Sequence, residues 1–187
     1  MSHNPAPDQA KAQAGGFARY AYDYIEAAIK IDETIGMQPG FELRSPIPAY
    51  YLAVHGIELT LKAFLRYHGV TPKALRHPKE FGHDLHAGWR KAKELGIFDI
   101  YRPTDRDPKA MTLLVRLNVE QGLRYVRRGE KEFPSWALSN RLPCGCIRPL
   151  RRSSGMTRHS PCISVATASE QRHNNRACSR ERRTKGA

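Results

Sequence analysis

Cysteine is absent from the first 143 residues of this 187-residue chain, and long apolar runs are absent from all of it. A body without cysteine excludes a disulfide framework there and suits a reducing compartment. The polar N-terminus is not followed by the apolar core of a signal peptide, and no run approaches the roughly 18 apolar residues that span a bilayer. We therefore expect a cytoplasmic protein without a membrane segment.

The chain also lacks the short motifs that mark common enzyme chemistries. It has no Gly-rich phosphate loop, no His-Glu-x-x-His, no nucleophile elbow around a serine and no cluster of acidic metal ligands. Each of these motifs places reactive or phosphate-binding groups at a required spacing. Their absence argues against kinase, dehydrogenase, metalloprotease and serine hydrolase chemistry, and we expect neither a cofactor nor a metal ion.

Positive charge is concentrated at the C-terminal end. The whole chain has 31 Lys and Arg against 18 Asp and Glu, a formal net charge of +13. Residues 1–140 hold 20 basic and 16 acidic residues, whereas residues 141–187 hold 11 and 2. No Phe, Tyr or Trp follows Trp136. Such a segment cannot bury enough apolar surface to offset its ordering entropy. The pattern therefore predicts a domain over 15–138 and a disordered Arg/Ser/Cys-rich tail over 139–187.

Three interpretations of this tail remain open. It could be a basic arm that binds nucleic acid through phosphate contacts. It could be a segment translated out of frame from near residue 139, which would explain the abrupt change in composition. It could also hold a metal, although its Cys-x-Cys has no paired Cys-x-x-Cys of zinc-finger spacing. The side chains available for such a site are Cys144, Cys146, His159, Cys162, His173 and Cys178.

Apolar residues recur at steps of three and four through most of the body, which is the period of an α-helix. The pattern predicts main helices over 8–34, 47–65, 83–95 and 108–119, with a single turn at 71–75. Gly15 and Gly16 should weaken the start of the first helix. Ser45 is a candidate N-cap for the second helix, and Gly69 and Gly96 are natural stops. The fold class expected is all-α, an up-and-down bundle of the four-helix type.

Residues 50–97 carry a more specific pattern. The stretch Tyr50-Tyr-Leu-Ala-Val-His-Gly-Ile-Glu-Leu-Thr-Leu-Lys-Ala-Phe-Leu65 is followed by Phe81-Gly-His-Asp-Leu85, and Arg124-Tyr125 comes later. This resembles the HEPN-like helical proteins of bacteria over residues 15–136. The resemblance implies a bundle that is often a homodimer and that accompanies defence systems or toxin–antitoxin pairs. A partner protein, RNA or a nucleotide would be its ligand, and a non-catalytic interaction role is the leading interpretation.

Some HEPN-like proteins are metal-independent ribonucleases that use an Arg-x(4–6)-His motif. Arg76 and His83 have six residues between them, so the resemblance offers them as a catalytic pair. The histidine would act as general acid or base on the RNA, and the arginine would stabilise charge on the phosphate. Arg152 and His159 show the same spacing, however, which demonstrates how readily chance produces it. Whether the chain is an enzyme stays open.

Two further groups of polar residues are candidates for binding RNA or a nucleotide. Glu58 and Lys62 stand beside the apolar stripe of the second helix, where with His55 they form a polar edge that could face His83. The alternative is an ordinary ion pair within the helix. The second group is the basic run that holds Arg124, Tyr125 and Arg127, in which the tyrosine could stack on a base. The alternative there is a solvated loop.

Overall fold

The structure, a computed structural model, describes residues 7–42, 45–119, 123–125, 132–134 and 136. This part of the chain forms five helices: α1 (Pro7–Thr34), α2 (Ile47–Tyr67), α3 (Pro72–Arg76), α4 (Leu85–Glu94) and α5 (Asp107–Val119). Short 3₁₀ turns follow α1 and α4, at Ile35–Met37 and Ile97–Asp99. No strand occurs in the described ranges, which confirms the all-α prediction.

Two sequence-based expectations fall elsewhere in the chain. The predicted domain boundary at 138 and the tail over 139–187 lie outside the described residues. Within the described part, no helix combines the length and apolar character needed to cross a membrane.

Helices α1 and α2 are antiparallel neighbours. Near one end of the pair, the Nε of Arg66 donates to the Oε1 of Gln13 at 2.9 Å. Near the other end, the Oγ of Ser45 donates to the Oδ1 of Asp32 at 2.6 Å. Residue numbers therefore increase along α1 in the direction in which they decrease along α2. Small buried residues line the two helices and permit their close approach: Ala14, Ala18, Ala21 and Ala28 on α1, and Ala49, Ala53 and Gly56 on α2.

The apolar stripe of α2 lies at the centre of the core. Its buried members include Val54, Ile57, Leu61, Phe64 and Leu65. These residues belong to one cluster with residues of α4 and α5, among them Leu85, Ala92, Ala110, Met111, Leu114 and Leu117. Burial of such a stripe is the main source of stability for an amphipathic helix. The helical period in the sequence thus corresponds to the buried face.

The chain after α5 returns to the N-terminal end of α2. The hydroxyl of Tyr50, a residue that is 1% exposed, donates to the carbonyl of Pro134 at 2.9 Å. The Tyr50 ring also contacts the rings of Phe133 and Trp136, at centroid distances of 5.1 and 5.5 Å. Trp136 therefore belongs to the core.

One local expectation for the first helices was wrong. Ser45 does not cap α2: Pro46 is the N-cap, no side chain supplies the cap bond, and the Ser45 hydroxyl donates to the buried Asp32. A contact with α1 therefore outweighs the capping preference of this serine. Gly15 and Gly16 lie within α1, which runs from Pro7 without a break at either residue.

The ends of the later elements largely follow the predictions. Gly69 and Gly96 have φ values of 90° and 83°, the left-handed conformation that ends α2 and α4 at low cost. The single turn α3 is capped by Thr71, whose Oγ1 accepts from the Ala74 amide at 3.2 Å. Helix α4 begins at Leu85 and not at His83, since the Oδ1 of Asp84 accepts the two amides that follow Leu85, at 2.9 and 3.0 Å.

We expect Asp84→Ala to lower the free energy of unfolding by about 1 kcal/mol, because the first turn of α4 loses the acceptor for two amides. Urea unfolding followed by circular dichroism measures this change. Asp105→Ala removes an exposed acidic residue from the turn before α5 and serves as the control. Equal stability of the two variants would contradict the capping role.

Candidate functional site

A nearly buried carboxylate on α2 gathers the candidate polar residues. Glu58 keeps only 9% of its side chain exposed, and its Oε1 accepts a hydrogen bond from the Nζ of Lys62 at 2.7 Å. The Nδ1 of His83 lies 3.0 Å from the same oxygen and 3.2 Å from Oε2. The Nδ1 of His55 lies 3.9 Å from Oε2. We call His55, Glu58, Lys62 and His83 the Glu58 cluster.

Helix geometry explains three of the four members. His55, Glu58 and Lys62 are separated by three and four residues, so their side chains lie on one face of α2. This face borders the buried stripe, which leaves Glu58 and Lys62 little exposed, at 9% and 14%. A buried carboxylate needs partners that satisfy its charge. Lys62 supplies one from the helix itself, and His83 supplies the other from a distant part of the chain.

The turn before α4 delivers His83 to this face. Gly82 has a φ of 34°, and a Cβ at this position would lie 3.0 Å from the Cα of Pro78, so the turn is too tight for a side chain there. Two residues farther on, Asp84 caps α4. The Nδ2 of Asn118 on α5 donates to the His83 carbonyl at 3.4 Å. The backbone of His83 is thus held on both sides, while 77% of its side chain faces solvent.

The hydrogen bond between His83 and Glu58 determines how His83 can act. An ionised carboxylate only accepts, so the Nδ1 of His83 must carry the proton of this bond. In the neutral ring, the Nε2 is then an acceptor on the exposed side chain. A carboxylate that orients a histidine in this way is a common arrangement in acid–base sites. The Glu58 cluster can therefore offer either a proton acceptor or, after protonation, a cation.

His55 is the more enclosed of the two histidines in the cluster. Its ring meets the Tyr24 ring edge to face, with 4.4 Å between centroids. Burial lowers the pKa of His55 below the ordinary value of 6.5, and the charge of Glu58 offsets this in part. Cationic neighbours lower that pKa further: Lys62, His83 and Arg124. At neutral pH the ring is therefore mostly uncharged.

The predicted basic run contributes one residue to this neighbourhood. Arg124 is exposed, and its guanidinium carbon lies 5.6 Å from the centre of the Tyr51 ring, a cation–π distance. Tyr51 precedes His55 by one helical turn, which explains why Arg124 influences that histidine. Tyr125 is 62% exposed beside it. Arg127, the third predicted residue of the run, lies outside the described residues.

The Arg76–His83 pair stays a prediction. Arg76 is the exposed last residue of α3. The Nδ1 of His83 contacts Glu58. The residues that sequence reasoning missed are Tyr24, Tyr51 and Asn118. The spacing of Tyr51 and His55, one turn apart, was the one signal available for them.

A small crevice borders the Glu58 cluster. It has a volume of about 10 Å³ and lies between α2 and the turn before α4, with Glu58, Lys62 and Gly82 in its wall. This is room for about one water molecule. A larger groove of about 480 Å³ lies between α5 and the segment 132–134, and no predicted site residue lines it.

The side chains of the described residues do not form a metal-binding site. Among the described residues, no group of three or more His, Cys, Asp and Glu side chains could hold one. In the Glu58 cluster, Lys62 occupies the carboxylate that a metal would need. Acid–base and electrostatic chemistry are what this set of side chains can provide.

No family model, no curated protein and no solved structure matches this chain.

The pKa of His55 leads to a test by pH. Because the folded pKa lies below 6.5, the unfolded chain binds this proton more tightly. The contribution of His55 to stability is then complete above about pH 6.5 and is lost as the pH falls through that value toward the folded pKa. As the pH is lowered from about 8 to 5, the urea concentration at the unfolding midpoint should fall less steeply for His55→Gln than for the wild type. Equal slopes would contradict the lowered pKa, and His68→Gln provides the control.

Proposed function

We propose that this chain is a HEPN-like helical domain that binds RNA or a nucleotide through phosphate contacts at the Glu58 cluster and Arg124. The observation that carries the proposal is that Lys62 and His83 contact the nearly buried Glu58 carboxylate, while the exposed Arg124 lies over the Tyr51 ring, one helical turn from His55. Cationic donors of this kind suit the phosphates of a nucleic acid. The motif that resembles HEPN proteins contributes all four members of the cluster.

Aromatic side chains beside these cations support a single-stranded or mononucleotide ligand. Tyr51 and Tyr125 are exposed by 37% and 62%, and both adjoin Arg124 in space or along the chain. Bases stack on such rings while nearby cations bind the backbone. The resemblance further suggests a bacterial homodimer, or a partner protein from a defence or toxin–antitoxin pair.

Fluorescence anisotropy with a labelled single-stranded RNA tests the binding function. We expect Arg124→Ala and His83→Ala each to weaken binding by about tenfold, since each removes a polar contact to a charged group. The dependence of affinity on salt should also become less steep. Lys91→Ala is the matched control, because it removes an exposed lysine that pairs with Glu94 on α4 at 2.9 Å. Equal losses in the control and the cluster variants would overturn the proposal.

The same experiment separates this surface from the tail. If residues 139–187 form a nucleic-acid-binding arm, deletion of that segment should abolish binding, and the cluster variants should leave it unchanged. If the cluster binds the RNA, the deletion should leave the effects of Arg124→Ala and His83→Ala in place.

A second candidate function is metal-independent RNA cleavage. The observation in its favour is the Glu58–His83 contact, which leaves the Nε2 of an oriented histidine on the solvent side. Such a nitrogen could accept the proton of a 2′-hydroxyl. Cleavage of labelled RNA that persists with a chelator and is lost in His83→Ala would support it. Arg76→Ala, assayed in parallel, decides whether the Arg-x6-His spacing has any part in the reaction.

A further inference from the structure

We propose that the groove between α5 and the segment 132–134 binds a carboxylic acid with an apolar body, of the kind found in a medium-chain fatty acid. The volume of the groove, about 480 Å³, is that of a pocket for a small ligand. Its described lining residues include neither Arg124 nor any member of the Glu58 cluster. The inference is therefore independent of the proposed function.

One wall of the groove is a single face of α5. Lys109, Ala110 and Leu113 lie three, four and seven residues after Arg106, so the four side chains share that face. The Ala110 amide donates to the Arg106 carbonyl at 3.1 Å, which joins Arg106 to the first turn of the helix. The wall thus begins with two cations and continues with two apolar residues.

Contacts with the core and with α5 hold the opposite wall in place. The Phe133 ring lies against the Tyr50 ring, with 5.1 Å between centroids, and the Pro134 carbonyl accepts from the Tyr50 hydroxyl at 2.9 Å. The Nη2 of Arg116, farther along α5, donates to the Oε2 of Glu132 at 3.0 Å. Because each residue of this wall has a partner, little ordering entropy should be lost when a ligand binds.

The charged side chains of the groove favour an anion at one end. Glu132 is the one carboxylate among the described lining residues, and it is already paired with Arg116. Arg106 and Lys109 are exposed, and neither side chain has a hydrogen bond or ion pair in the described ranges. The two acidic residues that flank Arg106 in the chain do not line the groove. Together the two cations can bind a carboxylate at this end.

The rest of the groove suits a body without polar groups. Its other described lining residues are Ala110, Leu113, Phe133 and Pro134. A peptide or a nucleotide would need partners here for its amides, sugar or base, and these side chains offer none. A hydrocarbon body instead gains by burying apolar surface against them. The chain's own C-terminal segment has the wrong charge, because residues 141–187 hold 11 basic and 2 acidic residues.

NMR titration of the full chain with sodium octanoate tests the site. We expect octanoate to shift the amide signals of residues 109–113 and the ring signals of Phe133. Two further ligands separate the head from the body: 1-octanol keeps the body without the charge, and acetate keeps the carboxylate without the body. Each should bind at least about tenfold more weakly than octanoate, since each loses one of the two contacts.

Substitutions on α5 test the two ends of the groove separately. Arg106→Gln and Lys109→Gln should each weaken octanoate binding by about tenfold, toward the affinity of 1-octanol. Leu113→Gln should also weaken octanoate binding, because it removes apolar contact with the body. Arg90→Gln alters an exposed arginine on α4 and is the control, with wild-type affinity expected. Circular dichroism verifies the fold of each variant.

Three outcomes would overturn the inference. Equal affinities for octanoate and 1-octanol would mean that the groove does not recognise an anion. Equal losses in Arg90→Gln and in the α5 variants would mean that octanoate adsorbs to the surface without a site. No binding of octanoate, whether or not a mononucleotide or an acidic peptide binds in the groove, would exclude an apolar acid as the ligand. The comparison of ligands uses the wild type and is decisive even where a variant fails to fold.

Discussion

Leu114→Ala is expected to lower the free energy of unfolding by about 2 to 5 kcal/mol, the usual cost of truncating a fully buried leucine. Leu114 lies on α5, has no exposed surface and belongs to the same apolar cluster as the buried stripe of α2. Truncation removes buried methyl groups and leaves a cavity that close-packed neighbours fill only in part. Urea unfolding at constant pH measures the difference.

Val119→Ala is the matched control on the same helix. Val119 is 72% exposed, so its truncation removes little buried surface and should change stability by no more than about 0.5 kcal/mol. A large loss for Leu114→Ala with no loss for Val119→Ala places α5 in the core through one face. Equal small effects would mean that α5 does not pack on α2, and the described core would be wrong.

Gly56→Ala should destabilise the protein by about 1 to 3 kcal/mol, although alanine is the better helix former. A Cβ at Gly56 would lie 2.6 Å from the Cγ1 of Ile25 and 3.3 Å from the carbonyl oxygen of Ala21. Relief requires the buried Ile25 side chain to shift or α1 and α2 to separate. The overlap therefore outweighs the gain of about 1 kcal/mol in helix propensity.

Gly16→Ala makes the same change in α1 without the overlap. No atom lies within 4 Å of a Cβ at this exposed position, so propensity alone should act, and stability should rise by about 0.5 to 1 kcal/mol. Opposite signs for the two glycines would show that the contact between α1 and α2 decides the effect. A stabilising Gly56→Ala would contradict the close approach of these helices.

Helix positions could be predicted from the sequence because each main helix carries its own apolar period. The stripe of α2 is long, and the same residues that produce the period form the centre of the core. Gly69 and Gly96 could be predicted as helix ends for a second local reason. Glycine adopts the left-handed conformation at a low cost in free energy, because it has no Cβ. Local chemistry was sufficient at these points.

The same local reasoning failed where a partner from another helix intervened. Ser45 is a strong N-cap by composition, but its hydroxyl bonds to the buried Asp32. Gly15 and Gly16 lower helix propensity, but α1 runs through both residues from Pro7. Single-sequence propensities contain no information on such tertiary contacts.

In the candidate site, the contact within one helix was also predictable, and the contacts between distant parts of the chain were not. Glu58 and Lys62 were predictable as a pair, because four residues on a helix place them side by side. Their meeting with His83 required the turn at Gly82, and the approach of Arg124 to Tyr51 joins residues more than 70 positions apart in the chain. Spacing along the chain offered Arg76 as the catalytic partner of His83, and that pair stays a prediction. The contact of His83 with Glu58 could not be read from the spacing, because it joins α2 to the turn before α4.

The position of the ring proton on His83 tests the account most directly. Long-range ¹H–¹⁵N spectra of the histidine rings, recorded above neutral pH, distinguish the two neutral tautomers. Because Glu58 accepts from the Nδ1, we expect the proton on Nδ1 and an unprotonated Nε2 whose signal shifts when phosphate is added. A proton on Nε2, with no response to phosphate, would contradict both the Glu58–His83 contact and the anion site built on it.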